Sequence, residues 1–477
     1  MSMFTETLGS TTLHALTYSV LYPFSDYDYL LNLIGVDTRA GKVHALTMHD
    51  IDPHKATALQ TLDRSRLEKF LLAACTINHE QNHVRQVGAN PFVAMVALNA
   101  AHHLNACLIS LRDIAMRGVC ALPVPLIQYR RKSIISWPNR LANLACHLRD
   151  VIEWDSLVAG TQSRSIGDAK VLWKAFSDSG DKPTFVTRLT ASDASSPCGL
   201  TALHLLEADC RRYDLRTLAF WKLVGVPSDV IDNVVHSLMG APGYHEALSY
   251  FMKELPQLRH PDEAFLIAIH MALWTDVFEN SAGKQLYWED FQPVWRFKRI
   301  VDSFKKQPHR LLNLSSYDEV VSNLCSDFGW RSPKELASVH IGQYYTMGTE
   351  NAIEEDVAQR HVAYCKNLLS KGLEAFPQDV KLAQRETPWI RFDGERVLFD
   401  NPPDGLSEAI ILNLILEFLI ADTVFHTGNL ESFKALLRSC VAQERAAGNL
   451  NEESLDKVFG GWIANAVGVD LKQWVAA

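Results

Sequence analysis

The sequence predicts a mainly α-helical protein with minor β-hairpins and a helical C-terminal region. Three observations predict it. Apolar residues recur at helical spacing through most of the 477 residues, Leu and Ala are abundant while Gly (24) and Pro (19) are modest, and only one stretch carries a strong hairpin signature. A chain this long exceeds a single compact core and suggests two or three domains.

In chain order, the first strong helix spans 65–87, opening on Ser65-x-x-Glu68, a capping-box pattern, and closing at Gly88 and the Asn90-Pro91 pair. A second follows from Phe92 to Arg117 and carries His102, His103 and Asn105, until Pro123 and Pro125 force an irregular link. Helices are expected at 138–153, 168–177 and 200–223, the last after the loop ASDASSPCG, and then at 228–239, 244–254 and 262–279. The C-terminal part adds helices at 293–306, 351–374, 405–425, 430–446 and 452–466. Trp389 to Phe399 alternates around Asp393-Gly394 and reads as a hairpin, and a weaker hairpin candidate surrounds Arg39-Ala40-Gly41. A soft boundary between 285 and 310 divides the chain into residues 1–295 and 296–477.

Composition narrows the class. Hydrophobic residues make up 47% and charged residues 21%, the balance of an ordinary soluble globular protein. The net charge is −9, and the basic run Arg130-Arg131-Lys132 beside Tyr129 reads as a solvated face, so no nucleic-acid partner is expected. Nine cysteines are scattered with no CxxC pair, which removes zinc-ribbon and thioredoxin-type readings and suits a reducing cytoplasm. The N-terminal stretch lacks a charged segment followed by an apolar block, so no signal peptide is expected. The run Ala409 to Phe425 is interrupted by Asn413, Glu417 and Asp422 and reads as a buried helix, so no membrane partner is expected.

The residues that carry chemistry lie in the first long helix. His79-Glu80-Gln81-Asn82-His83 is an HExxH run. Residues four apart share one helix face, so both imidazoles present themselves to one divalent cation. Glu80, beside them, can take a proton from metal-bound water. With 18 His in the chain, chance yields this run in roughly one such chain in twenty-five. It also follows the apolar stretch LLAACTI, where two imidazoles and a carboxylate entering a core need partners.

The string INHEQNHVRQ resembles the zinc-binding helix of HExxH metallopeptidases of the zincin type, whose active-site helix often continues hydrophobic-x-Gln, here Val84 and Gln86. The segment Gly199 to Asp209 resembles the second motif of the gluzincin branch, in which a Glu from a later helix is the third ligand. That resemblance implies a metallopeptidase-like helical core, Glu207 as third zinc ligand, and a peptide or small amide substrate. It covers residues 65–90 and 199–215, with a longer gap between the motifs than the branch usually shows. The metzincin continuation HExxHxxGxxH is absent.

The Glu207 helix also has a physical case. His204 lies three residues earlier, on the same face, as a fourth ligand, a hydrogen-bond partner or a proton donor, whereas an ion pair between Glu207 and Arg211 is the non-functional alternative. A hydrolase needs a donor aimed at a developing oxyanion. Tyr213, His236, Tyr244 and His245 are available, and the loop Gly240-Ala-Pro-Gly243-Tyr244-His245-Glu246 is the most site-like, making Tyr244 and His245 the catalytic candidates. Zn²⁺ is the expected cofactor. Two other readings compete: a non-haem di-iron oxidase using Glu80-x-x-His83, for which no second ExxH is found and Fe is the metal, and a non-catalytic metallopeptidase-like binding protein with a closed site.

Overall fold

The computed structural model describes residues 10–11, 20–23, 27–36, 48–90, 92, 198–240, 243–258, 261–275, 290, 292–308, 317–336, 338, 389–392 and 397–400, with single positions at 442, 446 and 448. These residues are mainly helical. The helices are α1 (Tyr27–Leu33), α2 (Pro53–Ala56), α3 (Arg64–Ala89), α4 (Ala202–Val224), α5 (Ser228–Met239), α6 (Glu246–Glu254), α7 (Pro261–Leu273), α8 (Pro293–Lys306) and α9 (Tyr317–Phe328). Among the described residues, no helix is long and apolar enough to cross a membrane.

Helix α3 begins earlier than its sequence suggests. Asp63, not Ser65, is the N-cap, and its carboxylate accepts the Arg66 N–H at 2.9 Å. Glu68 instead accepts from Arg64, one turn back, and from Asn233 of α5. The buried face of α3 changes character along its length. Leu67, Phe70, Leu71, Ala74, Cys75 and Ile77 form an apolar half, and His79, Asn82, His83 and Gln86 form a polar one. Helix α4 answers with the reverse order: Asp209, Cys210, Arg211 and Asp214 near its start and middle, Leu218 and Trp221 toward its end.

That order fixes the packing direction. Phe70 meets Trp221 edge to face at 4.6 Å, Cys75 lies against the Asp214 carbonyl, and Gln86 donates to the Leu206 carbonyl. Low residue numbers on α3 meet high ones on α4, so the two helices are antiparallel. Each fully buried Phe or Trp contributes about 1.5–3 kcal/mol through lost contact with water, so the apolar half supplies the adhesion against which the polar half is held. Gly225, at φ 110°, ends α4 in the left-handed conformation that Gly adopts without strain.

Helix α7 is almost wholly buried and packs against α8. It ends at Leu273, short of the 262–279 span, and Trp274 and Thr275 leave it as irregular chain. Helix α8 crosses the expected 295/296 division and is anchored to α7 through Arg296, described below. Helix α9 was not among the expected elements. Strands β1 (Ser10–Thr11), β2 (Val20–Pro23), β3 (Trp389–Phe392) and β4 (Val397–Asp400) form a small sheet in that order. In the 389–399 stretch, Phe392 pairs with Val397, so four residues, rather than the Asp-Gly pair alone, separate the antiparallel strands. β3 also pairs in parallel with β2, joining chain segments far apart in sequence. The 39–41 hairpin, the 92–117 helix beyond Phe92 with His102 and His103, and the helices at 138–153, 168–177, 351–374, 405–425, 430–446 and 452–466 lie outside the described residues.

Candidate metal centre

The HExxH spacing does what helix geometry requires. His79 and His83 are both buried and their rings meet edge to face, 4.9 Å apart. Across the interface, Glu207 of α4 reaches both. Its carboxylate lies 2.9 Å from His79 Nε2 and 3.5 Å from His83 Nε2.

The opposite ring nitrogens are engaged from behind. His79 Nδ1 is 3.1 Å from Asp214 Oδ2, which also accepts a 2.6 Å hydrogen bond from the Arg211 guanidinium. His83 Nδ1 is 2.9 Å from Gln86 Oε1. An acceptor behind Nδ1 keeps a proton there, so without a cation the second ring proton sits on Nε2 and is directed at Glu207; a metal at that place would displace it.

The electrostatics follow from this packing. Burial disfavours the charged form of Glu207, but the His83 and His79 imidazoles outweigh it and hold the carboxyl well below the usual range. Burial also disfavours imidazolium at both histidines. The Cys210 sulfur with Asp214 at His79, and with Glu207 at His83, overcomes that and raises both above the ordinary range. Burial pushes the Cys210 thiol up, against the pull of the His83 and His79 imidazoles.

Among the described residues, His79, His83 and Cys210 also offer donor atoms within 4.8 Å of one another. The Cys210 sulfur, however, stands 3.3 Å from His83 Nδ1, on the side already held by Gln86, and accepts from Asn82 Nδ2 at 3.2 Å. A cation using Cys210 with that nitrogen would displace Gln86, and one using Glu207 would displace the Nε2 protons of two imidazoles already held at Nδ1; either set must lose protons on binding.

The other expected residues divide. Glu80 is half-buried on the same helix turn as His79. Tyr244 is brought to the site, with its ring edge to face with His79 at 5.5 Å and the Arg211 guanidinium 4.3 Å over its centre. Its hydroxyl is pushed up by burial and then by the Glu207 carboxylate, with Glu80 adding a smaller push. Gly243, at φ 94°, turns the chain there, and Glu246 accepts both the Gly243 and His245 N–H groups, holding the loop.

His245 points elsewhere, its Nε2 against the Leu238 carbonyl at the end of α5. His204 is a capping residue: its Nδ1 accepts the Thr201 N–H while Thr201 Oγ1 accepts the His204 N–H, a reciprocal capping box at the start of α4. Tyr213 lies under Arg216 and His236 is exposed. Arg211 pairs with Asp214 and not with Glu207.

Asp214, Gln86, Asn82 and Cys210 are participants that sequence reasoning did not assign. Asp214 had a signal, since it lies seven residues, two helical turns, after Glu207 on the same face. No protein-family profile matches the chain, and no curated protein or solved structure is similar to it.

Proposed function

We propose that this chain is a zinc-dependent hydrolase of peptide or small amide bonds, with His79, His83 and Glu207 as metal ligands and Glu80 as general base. One observation carries the reading: two Nε2 atoms converge on one carboxylate, while both Nδ1 atoms are held from behind by Asp214 and Gln86. Tetrahedral zinc with N and O donors at about 2.0–2.2 Å sets neighbouring donor atoms about 3.3 Å apart. The separations of 2.9 Å to one carboxylate oxygen and 3.5 Å to the other lie on either side of that figure.

Three protein donors leave a fourth position open, the hallmark of a catalytic rather than a structural zinc site. Bound zinc lowers the pKa of its water to about 7 and polarises a carbonyl oxygen. Glu80, on the same helix turn as His79, would take the proton from that water and return it to the leaving amine. Tyr244, its hydroxyl pushed above the ordinary tyrosine range, stays protonated at neutral pH and can donate toward a developing oxyanion.

A second reading is a closed structural site including Cys210, favoured by the 4.8 Å grouping of its sulfur with the two imidazoles. Its place behind His83, on the side held by Gln86, counts against it. The deciving experiment is a screen of peptide and small-amide substrates with zinc-loaded protein beside Glu80→Gln. The expected result is hydrolysis by the wild type, lost by about 10²–10⁴-fold in the variant at equal zinc content. Equal turnover by both proteins would contradict the assignment of Glu80, and turnover by neither would contradict the hydrolase reading.

A further inference from the structure

Behind His83 lies a second buried layer that the hydrolytic reading does not use. Gln86, one turn along α3, is 3% exposed. Its Nε2 donates to the Leu206 carbonyl at 3.0 Å and to Asp209 Oδ2 at 3.0 Å. Both amide protons therefore have acceptors on α4, and the amide has one sensible orientation: Oε1 must face His83. An amide oxygen 2.9 Å from Nδ1 accepts a proton there, so the ring keeps its Nδ1–H and offers Nε2 to the cation.

Asp209 is itself pinned. Its Oδ2 also accepts from Asn82 Nδ2 at 3.3 Å, and on the Oδ1 side His270 Nε2 of α7 stands 3.6 Å away and Arg212 4.0 Å away. The carboxylate is 1% exposed, and a buried charge held among these groups does not swing away.

We propose that Gln86 and Asp209 are positioning residues that fix the tautomer and direction of His83 for metal binding, Asp209 acting through Gln86. The inference rests on the metal reading and deepens it. The two ligands are thereby supported differently: His79 by the charged Asp214–Arg211 pair, His83 by a neutral amide whose orientation a buried carboxylate dictates. The support reaches through α4 to α7, so the ligand helix α3 is tied to a helix that carries none of the three proposed ligands.

The test uses the full chain and Zn²⁺ as the probe. Affinity is measured by chelator competition, and the His83 ring by ¹⁵N NMR of histidine-labelled, zinc-loaded protein. Gln86→Met removes the acceptor at similar volume, and zinc affinity is expected to fall about 10–100-fold. Asp209→Asn keeps an acceptor for the Gln86 amide and so keeps its oxygen facing His83, whereas Asp209→Leu removes that acceptor at similar volume. Asp209→Asn is expected to stay within about fivefold of wild-type affinity and to retain the Nδ1–H signal, and Asp209→Leu to lose affinity about 10–100-fold, a split that mere loss of packing would not give.

Wild-type affinity and an unchanged Nδ1–H signal in Gln86→Met would overturn the proposal while leaving the metal site standing. Should Gln86→Met not fold, the Asp209 pair decides: near wild-type affinity in Asp209→Asn with loss in Asp209→Leu supports the proposal, and equal affinity in the two overturns it. Wild-type protein that takes up no zinc would overturn the metal reading and this inference together.

Discussion

Two buried interfaces of this protein treat polar groups in opposite ways. Between α3 and α4, imidazoles, carboxylates and amides answer one another side chain to side chain: His79 with Glu207 and Asp214, His83 with Gln86, Gln86 with Asp209. Between α7 and α8, the buried charge is Arg296, and its hydrogen bonds go to backbone. It donates to the Met271 and Trp274 carbonyls at the end of α7 and to the Asp290 carbonyl, with its guanidinium 3.5 Å over the Trp330 ring. Phe251, Phe265 and Phe297 pack ring against ring between α6, α7 and α8.

The difference separates two uses of burial. Arg296 closes a helix end whose carbonyls would otherwise lack partners, and it is boxed in by Trp330, which in turn donates to Asp290. In the α3–α4 interface, ionisable groups of both signs are gathered where apolar side chains would pack more cheaply. A fold that spends stability in this way is holding reactive groups in place, which is the pattern of a site.

The contrast can be broken in three ways, of decreasing size. Replacing Arg296 with Met would strand the α7 carbonyls and should cost about 3–5 kcal/mol of stability. Thermal unfolding followed by Trp fluorescence would show it, with zinc content per folded molecule unchanged. Asp214→Asn should lower zinc affinity about 10–100-fold, equivalent to about 1.4–2.7 kcal/mol, by removing the charged partner of His79 Nδ1. Chelator competition measures this, and an unchanged affinity would mean that Asp214 serves only Arg211. His204→Ala should cost about 1 kcal/mol through the lost half of the capping box, with zinc affinity unchanged. A large loss of zinc there would return His204 to the ligand set.

These outcomes bear on how far the sequence could be read. The HExxH pair was legible because i, i+4 geometry is local, and helices such as 228–239 and 293–306 were legible because their apolar stripes and Pro or Gly boundaries are local too. Glu207 came through a motif resemblance, beside the weaker local argument that His204 shares its helix face. The partners behind the histidines were hidden because they depend on how α3 and α4 register against each other, across 120 to 135 residues of chain.

His204 looked like a ligand for the same reason that it caps: a polar residue at the third helical position faces both the N-terminus and the Glu207 side. Ser65 lost the cap to Asp63 because both start patterns fit the sequence and only the backbone bond to Arg66 chooses between them. Helix α9 was overlooked although Val320, Val321, Leu324 and Cys325 form its buried stripe and Asp318 and Glu319 give it the acidic first turn that favours a helix start.

The central claim is that His79, His83 and Glu207 hold one divalent metal. Elemental analysis of protein purified without a metal-affinity tag tests it most directly, on the wild type beside His83→Ala, Glu207→Ala and Cys210→Ser. The account predicts about one zinc per chain in the wild type and in Cys210→Ser, and loss in the other two variants. Metal kept in Glu207→Ala but lost in Cys210→Ser would contradict it and move the site to the sulfur side of His83, and a wild type without metal would contradict it outright.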